Sequence, residues 1–226
     1  MDLGLRGKVA VITGGTVGIG LAVAEGLAAE GADLVLVGRD GARAEREAGR
    51  VAEAHGVTAI GVSADVATAA GCQAVTDAAR SHFGGADILI NNAGTGSNET
   101  IQEADDAKWQ YYWDLHVMAA VRLARGLVPT MRERGGGVVL HNASICAVQP
   151  LWYEPIYNTT KAALMMFSKT LANEVVKDNI RVNTINPGLV LTPDWVKTAK
   201  QIAGEDGYQA HLQGVADEAG GMQRFA

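Results

Sequence analysis

The sequence predicts an α/β fold built on one parallel sheet that is covered by helices on both faces. Short apolar runs typical of buried strands alternate with stretches of helical period along the whole chain. A glycine-rich turn follows the first run and leads directly into a helix-like stretch. This alternation predicts right-handed crossovers and a doubly wound sheet with the strand order 3-2-1-4-5-6. The six strand-like runs begin at Lys8, Asp33, Thr58, Asp87, Gly137 and Ile180.

Composition predicts a single compact domain over residues 1–226, because no linker or internal repeat divides the chain. Charged residues make up 19% of the sequence and the formal net charge is −6, which argues against a nucleic-acid-binding surface. Cys72 and Cys146 form no framework, the histidines have no zinc-ligand spacing, and no metal is expected. No signal-peptide core or membrane-length apolar run is present, so we expect a cytoplasmic protein without membrane contact.

The first strand and the glycine turn predict an anion site. The run from Lys8 to Thr13 leads into Gly14, Gly15, Thr16, Val17, Gly18, Ile19 and Gly20, and then into a helix. Backbone N–H groups converge at such a helix start, and side chains at the glycines would block close approach of a pyrophosphate. The spacing differs from the common Gly-x-Gly-x-x-Gly fingerprint, and a plain strand-to-helix turn is the alternative.

The second strand, beginning at Asp33, ends where a dinucleotide-binding fold places the residue that selects NAD or NADP. An acidic side chain there holds the ribose 2′-OH of NAD. Gly38 occupies this place and Arg39 follows, which favours NADP(H), because arginine pairs with a 2′-phosphate. Asp40 leaves NAD(H) open, although we expect Asp40 to cap the helix over residues 41–54.

Tyr157 and Lys161 lie four positions apart in residues 155–178, a segment typical of a helix with Pro155 in its first turn. Residues four apart share a helix face, so the phenol and the ammonium group should lie side by side. A cation about 5 Å from the phenol favours the phenolate by roughly 3 kcal/mol, or about two pKa units. The pattern therefore predicts a lowered Tyr157 pKa and a general acid/base role. Such pairs also arise by chance on exposed helices.

Other polar residues follow predicted strands. Asn91, Asn92, Ala93 and Gly94 follow the fourth strand, and Ser144 follows the fifth, at the carboxyl ends where α/β sheets bind ligands. The Ser144 hydroxyl could donate to a carbonyl oxygen as negative charge develops there. Ordinary turn chemistry is the alternative for each of these residues.

Taken together and in order, these motifs resemble the short-chain dehydrogenase/reductase family. The matching motifs are Thr13-Gly14-x-x-x-Gly18-Ile19-Gly20, Asp65-Val66, Asn91-Asn92-Ala93-Gly94, Ser144, Tyr157-x-x-x-Lys161 and Pro187-Gly188. The resemblance implies a Rossmann-like domain that transfers hydride between a nicotinamide and a carbonyl or secondary alcohol. It implies catalytic roles for Ser144, Tyr157 and Lys161. The cofactor-binding residues it implies are Gly14, Thr16, Val17, Gly18, Ile19, Gly20, Arg39, Asp65, Val66, Asn92, Ala93, Gly94, Tyr157, Lys161, Pro187, Gly188, Val190 and Thr192.

His116 departs from the family pattern, which usually has asparagine at this position in a proton relay. Because the usual residue acts largely through its main-chain carbonyl, the relay could survive the exchange. The ring could also titrate near neutral pH within the relay, so we count His116 as a fourth candidate catalytic residue. The alternative is a histidine packed between helix and sheet.

Several expectations concern the rest of the molecule. Chains of the family usually continue into a further helix and strand. Either this chain is shortened or, as we expect, the sheet lacks its final strand. Residues 190–215 resemble a substrate lid. Apolar helix faces on residues 105–131 and 162–176 favour a homodimer or homotetramer.

The predicted partner is a small carbonyl or alcohol substrate. Aromatic residues at Trp152, Tyr153 and Trp195 favour a mainly apolar one, although they could simply pack the loops. A non-catalytic NAD(P)-binding sensor or scaffold is the alternative function. A dehydratase or epimerase on the same scaffold is a weaker one.

Overall fold

The computed structural model describes residues 3–96, 98–218 and 225–226. Its six strands form one parallel sheet in the order β3-β2-β1-β4-β5-β6, which confirms the predicted topology. Among the described residues β6 pairs only with β5 and forms a sheet edge. The strands are β1 (Val9–Thr13), β2 (Asp33–Gly38), β3 (Ala59–Ser63), β4 (Ile88–Asn91), β5 (Gly137–Asn142) and β6 (Ile180–Ile185).

Helices connect the strands and cover both faces of the sheet. The apolar side chains of the central strands point alternately to the two faces, and each face carries its own buried cluster. One cluster packs against α3, α5 and α6, and the other against α1 and α2. The helices are α1 (Gly18–Ala29), α2 (Gly41–His55), α3 (Ala69–Phe83), α4 (Asp106–Trp113), α5 (Ala119–Glu133), α6 (Pro155–Val175) and α7 (Pro193–Glu218).

Local sequence signals explain where several helices begin and end. The carboxylate of Asp40 accepts a hydrogen bond from the Arg43 N–H at 3.0 Å and caps α2, as predicted. Thr68 caps α3 in the same way. Gly56 and Gly84 follow α2 and α3 in the left-handed conformation, which glycine adopts at little cost.

The predicted helix over residues 105–131 is not continuous. A five-residue π-helical turn, Asp114–Met118, separates α4 from α5. A π-turn inserts an extra residue into the helical repeat, and such turns occur frequently at functional sites. Here the π-turn contains His116, whose ring is buried against the site described below. Similarly, α6 ends at Val175, and residues 176–178 form a 3₁₀ turn.

No helix in the described ranges combines the length and the apolar character needed to cross a membrane.

The last long helix, α7, is broken at Gly204, where the backbone leaves the helical region at φ 75°. The predicted lid therefore consists of the segment before Pro193 and most of a two-part helix.

Candidate active site

The candidate site lies at the carboxyl ends of the central strands. Because β1, β4 and β5 are neighbours and parallel, the residues that follow them meet at one edge of the sheet. The hydroxyl of Thr13 accepts hydrogen bonds from the backbone N–H groups of Asn92 and Ala93, each at 3.0 Å. The end of β1 is thereby fixed to the turn that follows β4.

The glycine turn is packed too tightly for side chains at Gly14, Gly15 and Gly20. A Cβ atom on Gly20 would lie 2.1 Å from the Gly14 carbonyl oxygen, and one on Gly14 would lie 3.0 Å from Asn92 Nδ2. Gly14 and Gly18 have positive φ angles of 63° and 58°. The N-cap of α1 is Val17, whose side chain makes no capping hydrogen bond. Backbone N–H groups at the start of a helix can bind an anion, and glycines let the backbone approach it closely. The turn therefore fits the pyrophosphate of a dinucleotide.

The residues expected at the adenine end lie beyond β2 and β3. A Cβ atom on Gly38 would lie 2.9 Å from Thr16 Oγ1, so the Thr16 side chain fills the place of an acidic residue. The carboxylate of Asp40 is engaged by the Arg43 N–H, whereas the Arg39 side chain is exposed.

Asp65 and Val66 follow β3, and both are positioned by their own turn. The Asp65 carboxylate accepts a hydrogen bond from the Ala67 N–H at 3.0 Å. Val66 is buried, and its carbonyl accepts a hydrogen bond from the Cys72 thiol at 3.1 Å. Neither residue contacts the catalytic end of the site in any described interaction.

A chain of hydrogen bonds joins the glycine turn to Lys161. Asn92 Nδ2 donates to the carbonyls of Thr13 and Gly14 at 3.0 and 3.2 Å. Asn142 Nδ2 donates to Asn92 Oδ1, and Lys161 Nζ donates to the Asn142 carbonyl, each at 2.8 Å. The buried Asn142 Oδ1 has no partner among the described residues. An orphaned acceptor between the glycine turn and Lys161 fits a site that receives a polar ligand.

Tyr157 and Lys161 lie on one face of α6, with Lys161 Nζ 5.4 Å from the centre of the Tyr157 ring. The Ser144 hydroxyl lies near enough to the Tyr157 phenol to lower its pKa. Ser144 Oγ also accepts a hydrogen bond from the Cys146 N–H at 3.2 Å. The structure thus brings together the three side chains that the sequence singled out.

The predicted lowering of the Tyr157 pKa is wrong for this structure. Burial of the phenol raises the pKa of Tyr157 to about 12, and the nearby Ser144 hydroxyl offsets only part of that rise. Lys161 directs its cation to the Asn142 carbonyl, and burial lowers the pKa of Lys161 to about 8. The sequence argument counted the attraction between the two groups but not the cost of burying both.

His116 is buried at the centre of the site. The Thr95 N–H donates to Nε2 at 3.4 Å, so we assign the proton to Nδ1, which donates to Thr160 Oγ1 at 2.8 Å. The ring packs edge-on against Tyr157, with ring centres 5.6 Å apart. Burial, with the nearby Lys161 charge, lowers the pKa of His116 to about 3. The prediction that His116 titrates near neutral pH is therefore wrong. The structure favours the alternative, a neutral histidine packed in the interior.

Gly94 closes one side of this arrangement. A Cβ atom on Gly94 would lie 3.1 Å from His116 Nε2 and 3.4 Å from Lys161 Nζ.

A second histidine, His141, is fully buried next to the site on β5. It accepts a hydrogen bond from Asn91 Nδ2 at 3.2 Å, which places its proton on Nε2, an atom without a partner among the described residues. Burial lowers the pKa of His141 to about 4.

The segment before α7 lies over the glycine turn. The Pro187 carbonyl accepts a hydrogen bond from the Ile145 N–H at 3.0 Å, which ties the segment to the turn after Ser144. A Cβ atom on Gly188 would meet no described atom within 4 Å. A cavity of about 310 Å³ separates the segment from α1, with lining residues that include Gly18, Ile19, Val190 and Thr192.

Sequence reasoning missed Glu154, the residue that precedes α6. Its carboxyl lies against Gly96, because a Cβ atom there would be 3.0 Å from Glu154 Oε1. The carboxyl makes no hydrogen bond or ion pair with any described residue. Burial, with the nearby negative charge of Glu99, raises the pKa of Glu154 to about 7. A signal was available in the sequence, since Glu154 lies three positions before Tyr157, almost one helical turn away.

The aromatic residues give no support to an apolar substrate. Trp152 is 81% exposed, and Trp195 packs against Phe225 with ring centres 5.3 Å apart. Cys146, by contrast, is buried beside Ser144, and burial raises the pKa of its thiol.

Comparison with known proteins places this geometry among related chains. Residues 8–203 match a family model described as short chain dehydrogenase. The chain is 35% identical over 189 residues to dehydrogenase/reductase SDR family member 4 of Oryctolagus cuniculus, covering 83% of this chain and 72% of that protein.

Two solved structures extend the comparison to cofactors. One is L-sorbose reductase from Gluconobacter frateurii complexed with NADPH and L-sorbose, which is 67% identical. That match covers 100% of this chain and 87% of the other, with a TM-score of 0.98. The second is 3-ketoacyl-(acyl-carrier-protein) reductase from Brucella melitensis complexed with NADH, with 34% identity, coverage of 92% and 90%, and a TM-score of 0.79.

Proposed function

Since this chain belongs to the short chain dehydrogenase family, we propose that it reduces a polyhydroxy ketone, with L-sorbose as the first candidate, using NADPH. Membership confirms the predicted activity, an NAD(P)-dependent oxidoreductase that transfers hydride between a nicotinamide and a carbonyl or secondary alcohol. NADP(H) is the favoured cofactor and NAD(H) is possible, as predicted. Bound NADPH supplies the hydride, and the residues of the chain supply orientation and the proton.

In this proposal Ser144 and Tyr157 hold the substrate carbonyl between their hydroxyl groups. Hydrogen bonds from both groups stabilise the negative charge that develops on the oxygen during reduction. The phenol of Tyr157 then donates its proton to that oxygen. A pKa of about 12 keeps this phenol protonated at neutral pH, as a proton donor must be. A protonated phenol supports the reductive direction, in which Tyr157 donates the proton.

Lys161 holds the framework of the site and receives the ribose of the cofactor in this proposal. Its hydrogen bond to the Asn142 carbonyl links α6 to β5, and Asn142 in turn contacts Asn92 at the glycine turn. A cofactor seated on the glycine turn would thus lie next to the proton donor. His116 acts as a positioning residue, because its neutral ring packs against Tyr157 and joins Thr95 to Thr160.

The cofactor-binding residues keep the roles expected from the family. We propose that the open N–H groups of the glycine turn hold the pyrophosphate, and that Arg39 pairs with the 2′-phosphate. Asp65 and Val66 would flank the adenine. The turn after β4 and the segment over residues 187–192 would enclose the nicotinamide end. Residues 190–215 remain a proposed lid.

The proposed substrate class rests on the half-buried carboxyl of Glu154. Partial burial of an ionisable carboxyl without a protein partner costs free energy, which a hydrogen bond with a ligand can offset. The hydroxyl groups of a ketose can donate to it or accept from it, whereas an apolar ketone can do neither. Likeness to L-sorbose reductase at 67% identity supports the same class.

The substrate class is tested by the oxidation of NADPH in the presence of L-sorbose and of an apolar ketone of similar length. We expect the ketose to give the higher kcat/KM, and Glu154→Ala to lower the ratio of the two values by about tenfold, the typical effect of one hydrogen bond to a charged group. Equal or faster reduction of the apolar ketone by the unmodified protein would contradict the proposal. NADPH binding without turnover of any ketone or alcohol would instead favour the sensor.

Assembly and location are further parts of the proposal. Met166 on α6 is 66% exposed, and Tyr111 and Trp113 on α4 are partly exposed, although Tyr112 between them is buried. Apolar surface on these two helices supports a homodimer or homotetramer. Light scattering would test this, with a monomer mass contradicting it. We also propose that the protein acts in the cytoplasm.

A further inference from the structure

An ion pair between the buried carboxylate of Glu99 and the partly exposed ammonium group of Lys108 lies behind the unpartnered carboxyl of Glu154. Glu99 is 8% exposed and pairs with Lys108 of α4 through a short contact between Oε2 and Nζ. The Glu99 N–H also donates to the Tyr153 carbonyl at 3.0 Å. Glu99 therefore joins the loop after β4 to the residue that precedes Glu154.

A second contact from α4 fixes the same loop. The Tyr112 hydroxyl donates to the Gly96 carbonyl at 2.6 Å, and Gly96 is the residue against which the Glu154 carboxyl lies. The loop is thus held between α4 and the start of α6, with one carboxylate paired and the other unpaired.

We propose that the Glu99–Lys108 pair is a positioning element for substrate recognition, which holds the loop against Glu154 and keeps a negative charge beside its carboxyl. The inference rests on the proposed function, because Glu154 matters to turnover only if it meets the substrate. Neither residue of the pair touches the reacting atoms, so they act through Glu154.

The charge balance around Glu154 determines whether its carboxyl donates or accepts a hydrogen bond. The titratable groups that face it are Glu99 from the loop, Cys146 from the turn after Ser144, the adjacent Tyr153, and Tyr157 from α6. Of these, Glu99 is the group whose negative charge adds to burial in raising the pKa of Glu154. Near neutral pH the carboxyl changes from acid to carboxylate, and its hydrogen bond to a ketose hydroxyl changes direction.

Charge-removing variants on the two sides of the pair should move this titration in opposite directions. Glu99→Gln removes the negative charge and shifts the titration of Glu154 to lower pH by roughly one unit. Lys108→Gln leaves that charge uncompensated and shifts the titration to higher pH. The double variant Glu99→Gln/Lys108→Gln removes both charges and should titrate between the two single variants. Simple damage to the loop would not produce shifts of opposite sign.

The titration is measured on the whole protein by pH-difference infrared spectroscopy of the carboxylic acid C=O stretch, with Glu154→Gln identifying the band. The pH dependence of the KM for L-sorbose is expected to move with the band, while the KM for NADPH stays unchanged. Glu103→Gln, on the same loop but exposed, is the matched control and should leave the band in place. Lys108→Arg keeps the charge and should titrate like the unmodified protein. If Lys108→Gln does not fold, the shift to lower pH in Glu99→Gln still tests the coupling.

Shifts in the same direction, or no shift in either variant, would overturn the inference. The infrared result does not depend on turnover. If the unmodified protein reduces no ketose while the band still moves as described, the proposed function fails but the electrostatic coupling holds.

Discussion

Replacing Gly20 by alanine should disrupt the cofactor cradle, because the added methyl group has no room. The new Cβ would lie 2.1 Å from the Gly14 carbonyl oxygen and 2.6 Å from Asn92 Nδ2. Relief of that overlap requires a displacement of about 1 Å in a turn fixed by backbone contacts. Overpacking of this kind costs about 2–3 kcal/mol. For a domain of this size the melting temperature should fall by about 5–10 °C.

Gly26 offers a matched control on the same helix. It also lies in α1, but a Cβ atom there would meet no atom within 4 Å. Gly26→Ala should therefore stabilise the protein by about 0.5–1 kcal/mol, since alanine loses less backbone entropy in a helix. The melting temperature should rise by about 2 °C.

The two variants are compared by thermal unfolding and by NADPH titration followed through the fluorescence of the nicotinamide. Gly20→Ala should lose at least about tenfold in affinity, equivalent to about 1.4 kcal/mol, because the turn can no longer approach the pyrophosphate. Gly26→Ala should bind NADPH as the unmodified protein does. A Gly20→Ala variant with unchanged melting temperature and affinity would refute the close packing of the turn.

Two further predictions concern charge. Arg39→Ala should raise the KM for NADPH by about tenfold, because the pairing with the 2′-phosphate is lost, and should leave the KM for NADH unchanged. Arg46→Ala, on the exposed face of α2, is the control. Equal effects of Arg39→Ala on the two KM values would contradict the assignment. The pKa of His141 is about 4 in the folded protein against 6.5 ordinarily, so the unfolded chain binds the extra proton first and stability is lost as pH falls below about 6.5. Glutamine does not titrate, so His141→Gln should not lose this stability. Urea unfolding should show that the free energy of unfolding of His141→Gln, relative to that of the unmodified protein, rises by about 2 kcal/mol when the pH is lowered from about 7 to about 5. A difference that stays the same at both pH values would mean that His141 is not buried in its neutral form.

The fold and most of the site could be predicted because strong local signals agreed with one another. Six apolar runs separated by helical stretches permit few topologies, and the glycine turn after β1 indicated the edge of the sheet where the candidate site lies. Tyr157 and Lys161 were placed correctly because helical geometry fixes residues four apart.

Other properties depend on how deeply groups are buried, which the sequence does not reveal. The pKa of Tyr157 moved opposite to the prediction because burial outweighs a cation directed at another acceptor. His116 is neutral for the same reason. The π-turn that carries His116 has no recognisable sequence signature, so one continuous helix was expected over residues 105–131. Glu154 was missed because its significance lies in the absence of a partner, a property of three-dimensional packing.

The proton-donating role of Tyr157 is tested most directly by Tyr157→Phe, assayed as NADPH oxidation with L-sorbose alongside NADPH binding. Phenylalanine keeps the ring and its contact with His116 but removes the proton. We predict that kcat falls by at least about 100-fold while the dissociation constant of NADPH changes by less than about twofold. A variant that still reduces L-sorbose at a rate close to that of the unmodified protein would contradict the account.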